Sequence, residues 1–185
     1  MPPTAAGGES RSRSPRVLIS TRATSRPGWC RRSCRATHSA CQRAAQFGLF
    51  DEDTADRVAV ALTEAMVNGI QHGNLELDSR LRQEDEATYD RMAEFRRRRP
   101  PYRDRRLHVR AALSRRGAVY VIRDEGPGFD PATLPDPTDP AYLERPTGRG
   151  LLLIRAFMDE VAFNRAGNQV ILTKRRTAPP NAHDR

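Results

Sequence analysis

The sequence lacks any stretch that could cross a bilayer. Its longest uninterrupted aliphatic run is Leu151-Leu152-Leu153-Ile154, against the roughly 20 apolar residues a spanning helix needs. No charged start leads into a hydrophobic stretch, so a secretory signal is not expected and the cytoplasm is the expected compartment. Cysteine is scarce. Cys30, Cys34 and Cys41 are odd in number and lack the paired CxxC arms of a structural zinc site, so neither a disulfide framework nor a zinc module is expected. Internal repeats are absent, and 185 residues allow one domain with a real core but not two full ones.

Charge of one sign is plentiful, but it is concentrated. The formal net charge is +9, which would suit a nucleic-acid binder. Residues 1–43 hold nine arginines against the single acid Glu9, which accounts for +8 of that total. The rest is nearly neutral and has no basic excess to offer a phosphate backbone, so neither a direct nucleic-acid partner nor a membrane is expected.

The pattern sharpens after residue 50. Asp51-Glu52-Asp53-Thr54 offers N-caps and negative charge at a helix start. Val58, Leu62, Ala65, Met66, Gly69 and Ile70 then fall on one helical face, and Gly73-Asn74 suit its end. A charged stretch predicts a solvated helix from about Arg80 to Arg98, stopped by Pro100-Pro101. Leu107–Ser114 and Ala118–Asp124 read as a hairpin, residues 130–147 as a Pro/Asp-rich loop, and Leu151–Asp159 as a helix. Glu160–Arg165 and Asn168–Arg175 read as a closing hairpin. This order predicts an α+β sandwich, a mixed, mostly antiparallel sheet with helices on one face.

Three clusters could carry chemistry. Glu64, Asn68 and His72 share one side of the first helix; a carboxylate can orient or deprotonate a hydroxyl, and an amide oxygen can ligate magnesium. Each of these residues also suits the polar flank of an ordinary amphipathic helix. Asp124-Glu125-Gly126-Pro127-Gly128 ends a strand, where an acid followed by glycines suits close approach of a flat ring. A plain Gly/Pro turn would look similar. Thr147-Gly148-Arg149-Gly150-Leu151 runs into a helix, where freed backbone N–H groups and Arg149, joined by Arg145, could meet phosphate. It is not a Walker A loop, since no Lys-Ser/Thr follows.

Order and spacing add what no single cluster holds. Glu64-x-x-x-Asn68, Asp124-x-Gly126-x-Gly128 and Gly148-x-Gly150 resemble the N, G1 and G2 boxes of GHKL ATPases. More closely, ALTEAMVNGIQHGN, VIRDEGPGFDP and GRGLLLIRAFMDEV resemble the anti-sigma-factor serine kinases and their histidine-kinase-like relatives, over about residues 51–75 and 107–176. The resemblance implies a two-layer sandwich of the GHKL (Bergerat) type that binds ATP and Mg2+. It implies that Glu64 is catalytic, that Asn68 holds the metal, and that Asp124 contacts the adenine amino group under Gly126 and Gly128. Residues 130–147 would form the ATP lid, Gly148, Arg149, Gly150 and Leu151 would cradle phosphate, and Thr173 would reach adenine through water. The implied partners are an anti-sigma-factor antagonist, as the Ser/Thr substrate, and a sigma factor; homodimers are common in such families. A nucleotide-gated binding module without catalysis is the alternative. A histidine-kinase ATPase fragment ranks lower, because His38, His72, His108 and His183 do not fall in a dimerisation helix pair.

Two departures accompany the resemblance. A charged insertion, 76–106, separates the first box from the next strand, and the strand and helix expected before the first box are not recognisable beyond Val17-Leu18-Ile19. The expected organisation is a poorly ordered Arg-rich segment 1–43, an ATP-binding domain 44–176 and a disordered tail 177–185. Within the first segment, residues 21–35 crowd Trp29, two cysteines and five arginines together, and a one-base shift turns their codon classes into an amphipathic helical pattern. A shifted reading frame is the expectation there, and the coding DNA tests it.

Overall fold

The computed structural model describes residues 17–24, 48–134 and 149–177. Expectations for the remaining residues lie outside the described residues. These include the cysteines, the part beyond Thr24 of the segment expected to be frame-shifted, Arg145, Gly148 and most of the expected lid.

Strand β1 (Val17–Thr24) is followed by helix α1 (Glu52–Asn68), which widens into a π-helical turn at Gly69–Asn74. Two short helices, α2 (Ser79–Glu84) and α3 (Glu86–Arg97), lead into β2 (Arg106–Ser114) and β3 (Gly117–Arg123). A single 3-10 turn (Pro131–Thr133), helix α4 (Arg149–Phe157), β4 (Glu160–Phe163) and β5 (Gln169–Arg175) complete the order. The five strands form one sheet in the order β1-β2-β3-β5-β4, and every described pairing is antiparallel. The parallel pair that a mixed sheet would contain is therefore not among the described strands. The expected fold boundary at residue 44 also falls inside the sheet's span, since Val17 to Thr24 pair with Leu113 to Arg106.

Alternation along the strands builds one core. Leu107, Ala111 and Leu113 of β2, Ala118, Tyr120 and Ile122 of β3, and Val170 and Leu172 of β5 are buried on one face. The register carries Val119 and Arg123 of β3 and Arg110 of β2 to the other face, where they are exposed. Helix α1 presents Val58, Ala61, Leu62, Ala65 and Met66 to the core, and α4 adds Ile154. Each of the larger side chains contributes about 1.5–3 kcal/mol by leaving water. Helices on one face of the sheet are thus what the apolar pattern dictated.

The start of α1 is set by Asp51, whose carboxylate accepts from the Thr54 N–H at 2.8 Å. The helix expected over 80–98 is instead broken at Asp85. That residue is extended and accepts from the Thr88 N–H at 3.0 Å, so it ends α2 and caps α3. The insertion is not wholly solvated either, because Leu77, Tyr89 and Ala93 join the core.

Candidate functional site

A cavity of about 770 Å³ opens over α1, between α4, the end of β3 and the α2–α3 arm. That size is typical of a small-molecule site. Glu64, Asn68, Asp124, Gly128, Arg149, Gly150 and Leu151 all line it.

At one end, α4 begins against α1. A Cβ built on Gly150 would lie 2.5 Å from Glu64 Oε2 and 3.6 Å from Asn68 Nδ2. A side chain there would displace only the flexible end of Glu64, and Asn68 stands at ordinary contact distance, so the first turn of α4 lies directly against both polar side chains. The N-terminal N–H groups of a nine-residue helix and the exposed Arg149 therefore face the same space as a carboxylate and an amide.

At the other end, Asp124 is only 8% exposed, one of two buried polar residues among those described. Its backbone N–H donates to Asn168 O at 3.0 Å, and its Oδ1 accepts from the Gly126 N–H at 2.9 Å. Oδ2 is the oxygen left for a ligand. Burial pushes the carboxyl above the usual aspartate range, and the Gly126 N–H opposes that shift. A helical glycine makes room for it: a Cβ on Gly73 would lie 2.5 and 2.7 Å from the two carboxylate oxygens. A Cβ on Gly69 would instead press on Leu107 Cδ1 at 2.7 Å, while standing at ordinary contact distance, 3.8 Å, from Asp124 Cβ. The π turn, closed by a Leu75 N–H to Ile70 O bond of 2.8 Å, brings the Gly73 backbone against this corner. Gly126 in turn packs on the Gly73 carbonyl, where a side chain has no room.

Asn74, the other buried polar residue, ties the corner together: its Oδ1 accepts from the Glu125 N–H at 2.9 Å. Beyond it, Glu125 accepts from His108 Nε2 at 2.7 Å and from the Arg106 N–H at 3.0 Å. The His108 hydrogen bond holds Glu125 below its ordinary range, against a smaller desolvation effect. Gly128, at φ +78°, turns the chain so that Phe129 meets Phe163 edge to face at 5.4 Å, and both rings line the cavity.

Thr173 is not brought to the site. It pairs with Val119 and Glu160, which places it with Ile171 on the face of the sheet away from the helices, and it does not line the cavity. The inward positions of β5 nearest Asp124 fall to Val170 and, just before the strand, to Asn168, whose carbonyl anchors Asp124. His72 lines the cavity with Glu64 and Asn68, as expected of that side of the helix, and is also tied to the insertion. Its Nδ1 donates to Leu77 O at 2.7 Å, so it braces the start of the insertion.

Gly69 and Gly73 were missed as site residues. Their signal was present, since glycine inside a helix costs about 1 kcal/mol and calls for a packing reason. Ser79, Arg82, Glu86 and Tyr89 of the insertion also line the cavity, and nothing in the charge pattern announced that.

The donor set fits a magnesium nucleotide. It offers a buried acceptor at a glycine-walled slot, then an amide and a carboxylate, then a helix N-terminus with arginine. No helix among the described residues is long and apolar enough to cross a membrane. Compared with known protein families, residues 30–174 match the histidine kinase-like ATPase domain. No curated protein matches the chain.

Proposed function

Because the chain belongs to the histidine kinase-like ATPase domain family, we propose that it binds Mg-ATP in this cavity and transfers the γ-phosphoryl group to a serine or threonine of an anti-sigma-factor antagonist, thereby regulating a sigma factor. The observation that carries this reading is the meeting of Glu64 and Asn68 with Gly150 at the start of α4.

Adenine lies in the corner formed by Asp124, Gly73 and Gly126. There Asp124 Oδ2 accepts from the exocyclic amino group, which guanine lacks at that position. The N-terminal N–H groups of α4 and Arg149 hold the phosphates. Asn68 offers a neutral oxygen to magnesium, and the metal supplies charge neutralisation along the phosphate chain. Glu64 orients the acceptor hydroxyl and takes its proton as the new oxygen–phosphorus bond forms and the bond from the γ-phosphorus to the bridging oxygen of the leaving ADP breaks. Phosphoryl transfer needs positioning and charge more than covalent help, and this donor set supplies both.

The test uses γ-labelled ATP and a serine-bearing antagonist protein. Glu64→Ala retains Mg-ATP but loses transfer by ~10²–10⁴-fold, the range of a positioned acid–base group. Label reaching the partner at the wild-type rate in this variant refutes the role of Glu64. ATP binding without transfer by the wild type refutes the kinase and leaves a nucleotide-gated module.

A further inference from the structure

The insertion 76–106 does more than decorate the fold, because its two helices form one wall of the cavity that Glu64, Asn68 and Gly150 open into. Its base is pinned. Glu76 stands at φ +52°, a conformation that L residues adopt at a cost, so it needs outside support. Arg96 Nη1 donates to the Leu75 and Glu76 carbonyls, each at 2.6 Å. Arg105 Nη1 donates to Asn74 O at 2.9 Å and to Glu76 Oε1 at 2.6 Å. The arm is therefore fixed to the π turn that shapes the Asp124 corner.

Two side chains on this wall are short of partners. Tyr89 lines the cavity and is 2% exposed, yet its hydroxyl has no hydrogen-bond partner in the structure. A buried hydroxyl in that state is destabilising until something accepts from it. Arg82 lies over the Tyr89 ring, 5.6 Å from its centroid, and also lines the cavity. Its carboxylate partner Glu86 is 4.0 Å away, and the two side chains are 50% and 73% exposed, so this pair holds the guanidinium weakly. Among the described residues the cavity offers the acids Glu64, Glu86 and Asp124, but only Arg82 and Arg149 as permanent cations.

We propose that the α2–α3 arm is part of the nucleotide site, with Arg82 as a second phosphate-binding cation and the Tyr89 hydroxyl as a hydrogen-bond donor to the same ligand. This inference rests on the nucleotide reading above.

Calorimetric titration of the full chain with Mg-ATP, and separately with adenosine, tests it. Arg82→Met keeps the length of the side chain and removes its charge. It weakens Mg-ATP binding by about tenfold, the scale of one charge-assisted contact, and leaves adenosine binding unchanged. The deficit shrinks as salt is raised. Tyr89→Phe keeps the ring, and it weakens Mg-ATP binding by about threefold to tenfold without lowering the melting temperature of the free protein. Asp124→Ala serves as the reference, because it weakens both ligands. Wild-type affinity for Mg-ATP in Arg82→Met, beside a loss in Asp124→Ala, overturns this proposal and leaves the nucleotide reading standing. An equal loss for adenosine in Arg82→Met overturns it too, by making the arginine a structural support. A wild-type chain that binds no Mg-ATP overturns both.

Discussion

Gly73→Ala adds one methyl group against the Asp124 carboxylate, in the corner proposed for adenine. The new Cβ would stand 2.5 and 2.7 Å from the Asp124 oxygens. Asp124 Cγ is closer still, at 2.4 Å, so the carboxylate must retreat by about 1 Å to reach ordinary van der Waals separation. Its Oδ1 is held by the Gly126 N–H at 2.9 Å, and a retreat of that size takes the contact beyond hydrogen-bond range. Losing a bond to a charged acceptor costs about 1.5–3 kcal/mol. Replacing a helical glycine by alanine returns up to about 1 kcal/mol. The net expectation is a stability loss of about 0.5–2 kcal/mol in urea titration at constant m. The acceptor for adenine moves as well, so ATP affinity falls by about tenfold or more. A double-mutant cycle isolates the cause. On an Asp124→Ala background the clash is gone, and Gly73→Ala becomes neutral or stabilising by up to about 1 kcal/mol. An equal cost on both backgrounds refutes the steric argument, and an unchanged ATP affinity refutes the placement of adenine.

Three further outcomes follow from the same geometry. Asn68→Ala weakens ATP binding in magnesium but not in EDTA, as parallel titrations would show. Asn74→Ala leaves the Glu125 N–H without its acceptor, and chemical denaturation should show a loss of about 1–3 kcal/mol. Burial raises Asp124 in the fold above its ordinary value of 3.8, so the native state binds more protons than the unfolded chain between those two values. The stability contribution of Asp124 therefore grows as pH falls through that window and is absent above it. Adenine binding, which needs the carboxylate, declines over the same window. Comparing wild type with Asp124→Asn in denaturation across pH checks the sign, and a wild-type stability that rises with pH relative to the variant would reverse it.

The parts of the fold that depend on local chemistry were readable. The period of Val58, Leu62, Ala65, Met66 and Ile70 marked α1, and the glycines after Asp124 marked the end of β3. What depends on pairing was not. The resemblance assigns Thr173 in the last strand an adenine contact, but strand parity decides which side a residue faces, and parity follows from the β3–β5 register. The break at Asp85 was hidden because an aspartate in a charged run suits a solvated helix face as well as a cap. For β1, Val17-Leu18-Ile19 gave a hint, while Ser20 to Thr24 hold their place through backbone bonds to a strand some ninety residues away. Arg82 and Tyr89 looked like part of a surface helix, since only the folded arm reveals that they border a cavity.

The two turns at the mouth of the site interlock through backbone alone. Gly128 sits against the Ala166 carbonyl, Gly167 sits against Phe129 O, and the Phe129 N–H donates to Ala166 O at 3.2 Å. Both glycines have positive φ, +78° and +70°. A side chain at either position would collide with main chain, which no rotamer change elsewhere can move aside. Second-site suppressors of changes at Gly128 or Gly167 should therefore be rare, whereas losses at Phe129 or Phe163 can be repaired by another ring or aliphatic group. Random mutagenesis of this rim would then sort into two classes: positions where function is recoverable by a partner change, and two where only reversion restores it.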